Sequence, residues 1–213
     1  MIHLSDLQPI PLVSLGLNPQ SSVFATECSF QKGCRYIVSA PSGRGKSTLL
    51  HCMYGLRSDF TGSITIDGRD VSGFTPDDWA LVRQNDLAIV FQDLRLFPQL
   101  TAWENIQLHA TLNPVIEESR LRHMAHELHI ESLLDAPVKR LSYGQRQRVA
   151  IVRALSRPFR MIFLDEPFSH LDPLNTEIAL RLITETCDEL EAGMVLVSLG
   201  EEYEMEIDYQ FKV

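Results

Sequence analysis

The chain has 213 residues, 45% of them hydrophobic, and carries 28 acidic against 19 basic side chains for a formal net charge of −9. That size and apolar content suit one soluble globular unit with a full core, and the acidic balance argues against nucleic acid as a partner. Cys28, Cys34, Cys52 and Cys187 lack the close pairing of a zinc or redox motif and give no disulfide framework, which fits a reducing cytosol.

From the N-terminus, Met1 to Leu17 is mildly apolar but interrupted by Asp6, Pro9 and Pro11, with no basic leader, so it resembles neither a signal nor a transit peptide. No uncharged apolar run approaches the ~20 residues of a membrane-spanning helix, so a membrane role has to come through a partner. Repeats, low-complexity tracts and linker-like stretches are missing, and residues 1–213 read as one domain.

Tyr36 to Ser39 predicts a short strand, and Lys46 to Tyr54 a helix closed by Gly55. Between them Ala40-Pro41-Ser42-Gly43-Arg44-Gly45-Lys46-Ser47-Thr48 sets Gly-Lys-Ser at the spacing of a P-loop, in the strand–loop–helix context that its mechanism needs. Gly43 and Gly45 let backbone N–H groups curl around phosphate oxygens, the positive end of the helix faces them, and Lys46 adds a full charge. Ser47 is placed to offer its hydroxyl to Mg²⁺.

Ser63 to Ile66, Leu87 to Phe91 and Met161 to Leu164 are further strand-length runs, which together predict a layered α/β core. Thr101 to Leu155 turns helical, most clearly over Glu117 to Leu128 and Gly144 to Leu155, until Pro158 breaks the pattern. A helical insertion at about 93–157 is therefore expected between core strands. His123, His126 and His129 step by three on a helix and fan around its axis, which favours structural histidines over a metal site.

Met161-Ile162-Phe163-Leu164-Asp165-Glu166 is an apolar strand ending in two acids, suited to one carboxylate for Mg²⁺ and one that orients an attacking water. Upstream, Leu141-Ser142-Tyr143-Gly144-Gln145 leads into a helix and closely resembles the signature of the ABC ATPases. Gln92 in Phe91-Gln92-Asp93 resembles that family's Q-loop and Ser169-His170-Leu171-Asp172 its D-loop, so the motifs span nearly the whole chain in family order.

The resemblance implies a P-loop ATPase core with an antiparallel β subdomain and a helical signature subdomain. It implies ATP and Mg²⁺ as cofactors, with Ser42, Gly43, Arg44, Gly45, Lys46, Ser47 and Thr48 on the phosphates, and Ser47, Gln92 and Asp165 on the metal. Glu166 and Gln92 are the expected catalytic pair. Ser142, Gly144 and Gln145 are expected to face the nucleotide of a second subunit, so that two ATP sites need a homodimer or a paired ATPase. A helix N-terminus with a Ser hydroxyl is a plausible anion site for that purpose.

The family context also implies membrane-embedded transporter subunits as partners, docked near Leu96-Phe97-Pro98 and Trp103-Glu104-Asn105, and a cytoplasmic location on the inner face of the cell membrane. The Asp165-Glu166-Pro167-Phe168-Ser169 region resembles ATPase subunits of short bacterial solute importers.

Three departures stand out. Tyr143 replaces the first Gly of the usual signature pair, and no adenine-stacking aromatic precedes the P-loop, where Leu15-Gly16-Leu17-Asn18 stands and Phe24 is the nearest ring. After Met194 to Val197 the family's switch histidine is replaced by Leu199 in Ser198-Leu199-Gly200. That change leaves a second reading, an ATP-gated regulatory module with little hydrolysis. A DNA-repair or chromosome-organising ABC ATPase would need coiled-coil heptads or a basic surface, and the chain has neither. The acidic residues Glu201, Glu202, Glu204, Glu206 and Asp208 read as a solvated surface.

Overall fold

A computed structural model describes residues 1–41, 43–200 and 203–213. In chain order the elements are β1 (Ile2–Pro9), α1 (Ile10–Val13), β2 (Glu27–Phe30), β3 (Arg35–Ser39), α2 (Lys46–Met53), β4 (Phe60–Ile66), β5 (Arg69–Asp70), α3 (Pro76–Asn85) and β6 (Leu87–Val90). There follow α4 (Ala102–Ala110), α5 (Glu118–Glu127), α6 (Tyr143–Leu155), β7 (Met161–Asp165), α7 (Pro173–Leu190), β8 (Gly193–Ser198) and β9 (Tyr209–Lys212).

The strands form two sheets. A five-stranded parallel sheet has the order β6-β7-β8-β3-β9, and a four-stranded antiparallel sheet has the order β2-β1-β4-β5. Every residue of β6, β7 and β8 is buried, as strands covered on both faces of a parallel sheet require. Successive side chains point to opposite faces. Phe163, Val195 and Val197 therefore join Leu49, Leu50, Met53 and the antiparallel-sheet residues Leu4 and Ile64 in one core. Ile162, Leu164 and Leu196 join Val149, Val152, Leu182 and Ile183 of α6 and α7 in the other.

The P-loop strand β3 and the acid-bearing strand β7 are separated only by β8, and parallel pairing brings their C-terminal ends to one edge of the sheet. Ligand sites of open parallel sheets lie at that edge. α4, α5 and α6 are inserted in the chain between β6 and β7, which pair directly in the sheet. α6 is tied to the core by the Arg153 guanidinium, which donates to the carbonyl oxygens of Arg95 at 2.7 Å and Leu94 at 2.6 Å.

Phe97 is exposed, whereas Trp103 packs partly buried against the helical core with the Arg122 guanidinium carbon 4.5 Å from its ring centroid. His123, His126 and His129 are exposed on and just past α5. The acidic C-terminal run is more than a solvated surface. Asp208 Oδ2 accepts from the Arg35 N–H at 2.7 Å, and Tyr203, Met205 and Ile207 pack on the core between the acids. Glu201 and Glu202 lie outside the described residues.

Among the described residues no helix is long and apolar enough to cross a membrane.

Candidate nucleotide site

A cleft of about 170 Å³ opens at the carboxyl edge of the parallel sheet, lined by Leu12, Gly43, Gly45, Lys46, Ser47, Thr48, Gln92 and Glu166. Gly45 caps α2 at φ 100°, a left-handed conformation that L side chains rarely adopt, and a Cβ there would lie 2.4 Å from Leu12 Cδ1. Glycine is thus required by the turn, and a Cβ there would also have to displace the end of the Leu12 side chain. Arg44 is exposed at the rim, while Ser42 lies outside the described residues.

Lys46 is 5% exposed, and its ammonium donates to the carbonyl oxygens of Ala40 at 2.7 Å and Pro41 at 3.2 Å. It also lies 3.5 Å from Glu166 Oε1, while Gln92 Nε2 donates to Glu166 Oε2 at 3.3 Å. One carboxylate is therefore held between a buried cation and an amide. Glu166 itself has φ 49°, an uncommon backbone state for a residue with a Cβ.

Asp165 ends β7 and is 2% exposed, and its Oδ1 is buried with no hydrogen-bond partner. Burial pushes its carboxyl pKa up and the negative charge of Glu166 adds to the rise, while the Ser47 hydroxyl and Lys46 oppose it. A buried carboxylate oxygen without a donor, beside a serine hydroxyl, is the environment that a hard divalent cation satisfies.

The signature residues stand elsewhere. Ser142 caps α6, accepting from the Gln145 N–H at 3.3 Å, and Gln145 Oε1 accepts from the Ser142 N–H at 2.8 Å. Ser142, Gly144 and Gln145 do not line the cleft that Lys46 and Glu166 share. A helix N-terminus with a serine cap can bind an anion, and this one lies outside the lining of that cleft.

Leu12 was not foreseen among the cleft residues. It comes from α1, a four-residue turn that follows Pro9 and contains Pro11, where no periodic pattern marks a side chain aimed inward. Phe24, the nearest ring in sequence, is buried with Cε2 3.1 Å from the position of a Cβ on Gly45. Leu199 follows β8 directly and is 49% exposed.

A family model described as ABC transporter matches residues 25–169. The thiamine import ATP-binding protein ThiQ of Escherichia coli K12 is 35% identical over 173 residues, covering 79% of this chain and 71% of that protein. ThiQ of Shigella flexneri serotype 5b is also 35% identical, with the same coverage. Among solved structures, the dimeric bacterial ABC transporter cassette MJ0796 superposes with a TM-score of 0.80 at 25% identity, over 93% of this chain and 88% of that one. Its post-hydrolysis state bound to ADP and Pi superposes with a TM-score of 0.78. P-loop, paired acids, Q-loop and signature thus occur together on the family's own fold, and the chain belongs to the ABC transporter family as an ATPase of that family.

Proposed function

We propose that this chain binds ATP with Mg²⁺ in the Lys46–Glu166 cleft and hydrolyses it as one of two paired ATPase subunits that drive solute import through separate membrane-embedded subunits. The observation that carries the reading is the division of the machinery. Lys46, Gln92 and Glu166 converge on one cleft, while Ser142 and Gly144 at the capped N-terminus of α6 do not line it. Two such chains would each supply what the other lacks.

In this reading the loop from Ser42 to Thr48 cradles the triphosphate, with Lys46 leaving the Ala40 and Pro41 carbonyls for phosphate oxygens. Ser47, Gln92 and Asp165 would hold the cation, which when bound neutralises phosphate charge. Glu166, braced by Gln92, accepts the hydrogen bond of the attacking water and orients it. Ser142, Gly144 and Gln145 offer donors to the γ-phosphate held by the partner. The chain acts as one unit over 1–213, with about 93–157 as the subdomain facing the membrane subunits on the cytoplasmic side. The names of the relatives support import over export.

Purification from native membranes tests the assembly. Membrane-embedded transport subunits should copurify, and Mg²⁺-ATP should convert the isolated chain from monomer to dimer on sizing with light scattering. A chain that stays monomeric, with no membrane partner recovered, would overturn the reading.

Leu199→His tests the site itself. An aliphatic side chain donates no hydrogen bond, whereas a histidine at the end of β8 would place a donor near the developing phosphate charge. Basal phosphate release should rise roughly tenfold or more, at equal ATP affinity. An unchanged or lower rate would mean that the site hydrolyses by another arrangement or works as an ATP-gated clamp.

A further inference from the structure

The contacts that brace Glu166 close on themselves through a residue outside the nucleotide cleft. Glu166 Oε2 accepts from Gln92 Nε2 at 3.3 Å, and the Gln92 carbonyl oxygen accepts from the Tyr143 hydroxyl at 2.6 Å. The Tyr143 ring lies against the His170 imidazole with centroids 4.1 Å apart. The His170 N–H donates to Gln147 Oε1 at 3.2 Å, and Gln147 Nε2 donates to the Glu166 carbonyl oxygen at 3.3 Å. The circuit runs from the loop after β6, through the first turn of α6, to the loop after β7 and back to its start.

Tyr143 joins the signature helix to the Gln92 loop in this circuit. It is the first residue of α6, and its phenol crosses to a loop 51 positions away in the chain. The loop it meets turns sharply, with left-handed backbone at Leu94 (φ 61°) and Arg95 (φ 44°), and Gln92 itself is exposed. No other described side chain hydrogen-bonds to the Gln92 carbonyl. The α6 N-terminus is seated as tightly on its other neighbour: a Cβ on Gly144 would lie 2.8 Å from the His170 carbonyl oxygen. A glycine at position 143 could make neither the phenol nor the ring contact.

We propose that Tyr143 is a positioning residue for ATP hydrolysis: by holding the Gln92 backbone it keeps the Gln92 amide on Glu166, and so ties the aim of that carboxylate to the seating of the signature helix. The inference rests on the reading of Glu166 as the group that orients water. Its consequence is a wire within one chain. Whatever engages the N-terminus of α6, in the proposed dimer the triphosphate held by the second subunit, is felt at the Glu166 of the same chain.

The test is a double-mutant cycle read by single-turnover phosphate release at saturating Mg²⁺-ATP, with ATP affinity measured separately by titration. Tyr143→Phe keeps the ring on His170 and removes only the donor. The rate should fall roughly three- to tenfold, as expected for one lost hydrogen bond, while the ATP dissociation constant stays within about twofold. On a Gln92→Ala background the same substitution should change nothing further, because Tyr143 acts through the Gln92 side chain. An equal fall on both backgrounds, which misfolding would also give, overturns the proposal, as does an unaltered rate in Tyr143→Phe beside an active wild type. A wild-type chain with no turnover would instead defeat the reading of Glu166, and this inference with it.

Discussion

Lys46→Ala should weaken ATP binding on the order of a hundredfold or more, measured by isothermal titration with Mg²⁺-ATP. The ammonium is buried at 5% exposure and now satisfies two loop carbonyls and one carboxylate. The two carbonyls are neutral groups that a phosphate can outbid, because a charge-assisted bond to an anion exceeds a bond to a neutral carbonyl. Alanine removes the one full positive charge among the described residues lining the cleft and leaves Asp165 and Glu166 near an incoming polyanion. Repulsion then adds to the lost attraction. An unchanged dissociation constant would remove the P-loop from the account of binding altogether.

Glu166→Gln separates binding from chemistry. Glutamine keeps an oxygen to accept from the Gln92 amide, now at 3.3 Å, but has no carboxylate to take a proton from water. Phosphate release should fall by about 10²- to 10⁴-fold, the usual worth of a positioned general base, with ATP affinity little altered. Because the nucleotide persists, an ATP-loaded dimer should accumulate and be visible as a doubled mass on sizing with light scattering. Undiminished phosphate release would sink the role of Glu166, and a monomer that still binds ATP would sink the paired-site model.

Much of this was legible from residue types, for physical reasons that differ by element. β6, β7 and β8 are buried on both faces, so their sequences are plain apolar runs, and the P-loop and paired acids follow directly at the ends of β3 and β7. α6 was legible from its helical pattern over Gly144 to Leu155, and the structure adds a capping box at its start, Ser142 with Gln145. β1 did not read as a strand because its alternation slips. Ile2 and Leu4 face the core, a register shift falls between Ser5 and Gln8 with Asp6 at φ 49°, and Leu7 faces inward again.

The 18-residue helix α7 was overlooked although its signals were present: Asp172 caps it, Pro173 opens it, and Ala179, Leu180, Ile183 and Cys187 repeat at helical spacing. β9 is a short exposed edge whose place beside β3 depends on pairing across the chain, which no local pattern encodes. In the site, Leu12 and the Tyr143–His170 contact were likewise products of tertiary approach.

The left-handed backbone of Glu166 sets two demands on the same position against each other. Glycine would adopt φ 49° with little penalty, whereas a side chain there stores roughly 1–3 kcal/mol. The turn after β7 would therefore be more comfortable, and the protein more heat-resistant, with the acid deleted. That a glutamate occupies it means that the cores on either side of the parallel sheet hold the turn in a shape its own residue resists. Selection for endurance alone would drift this position toward glycine and lose the chemistry, so a thermostabilised version of the chain has to find its gains elsewhere.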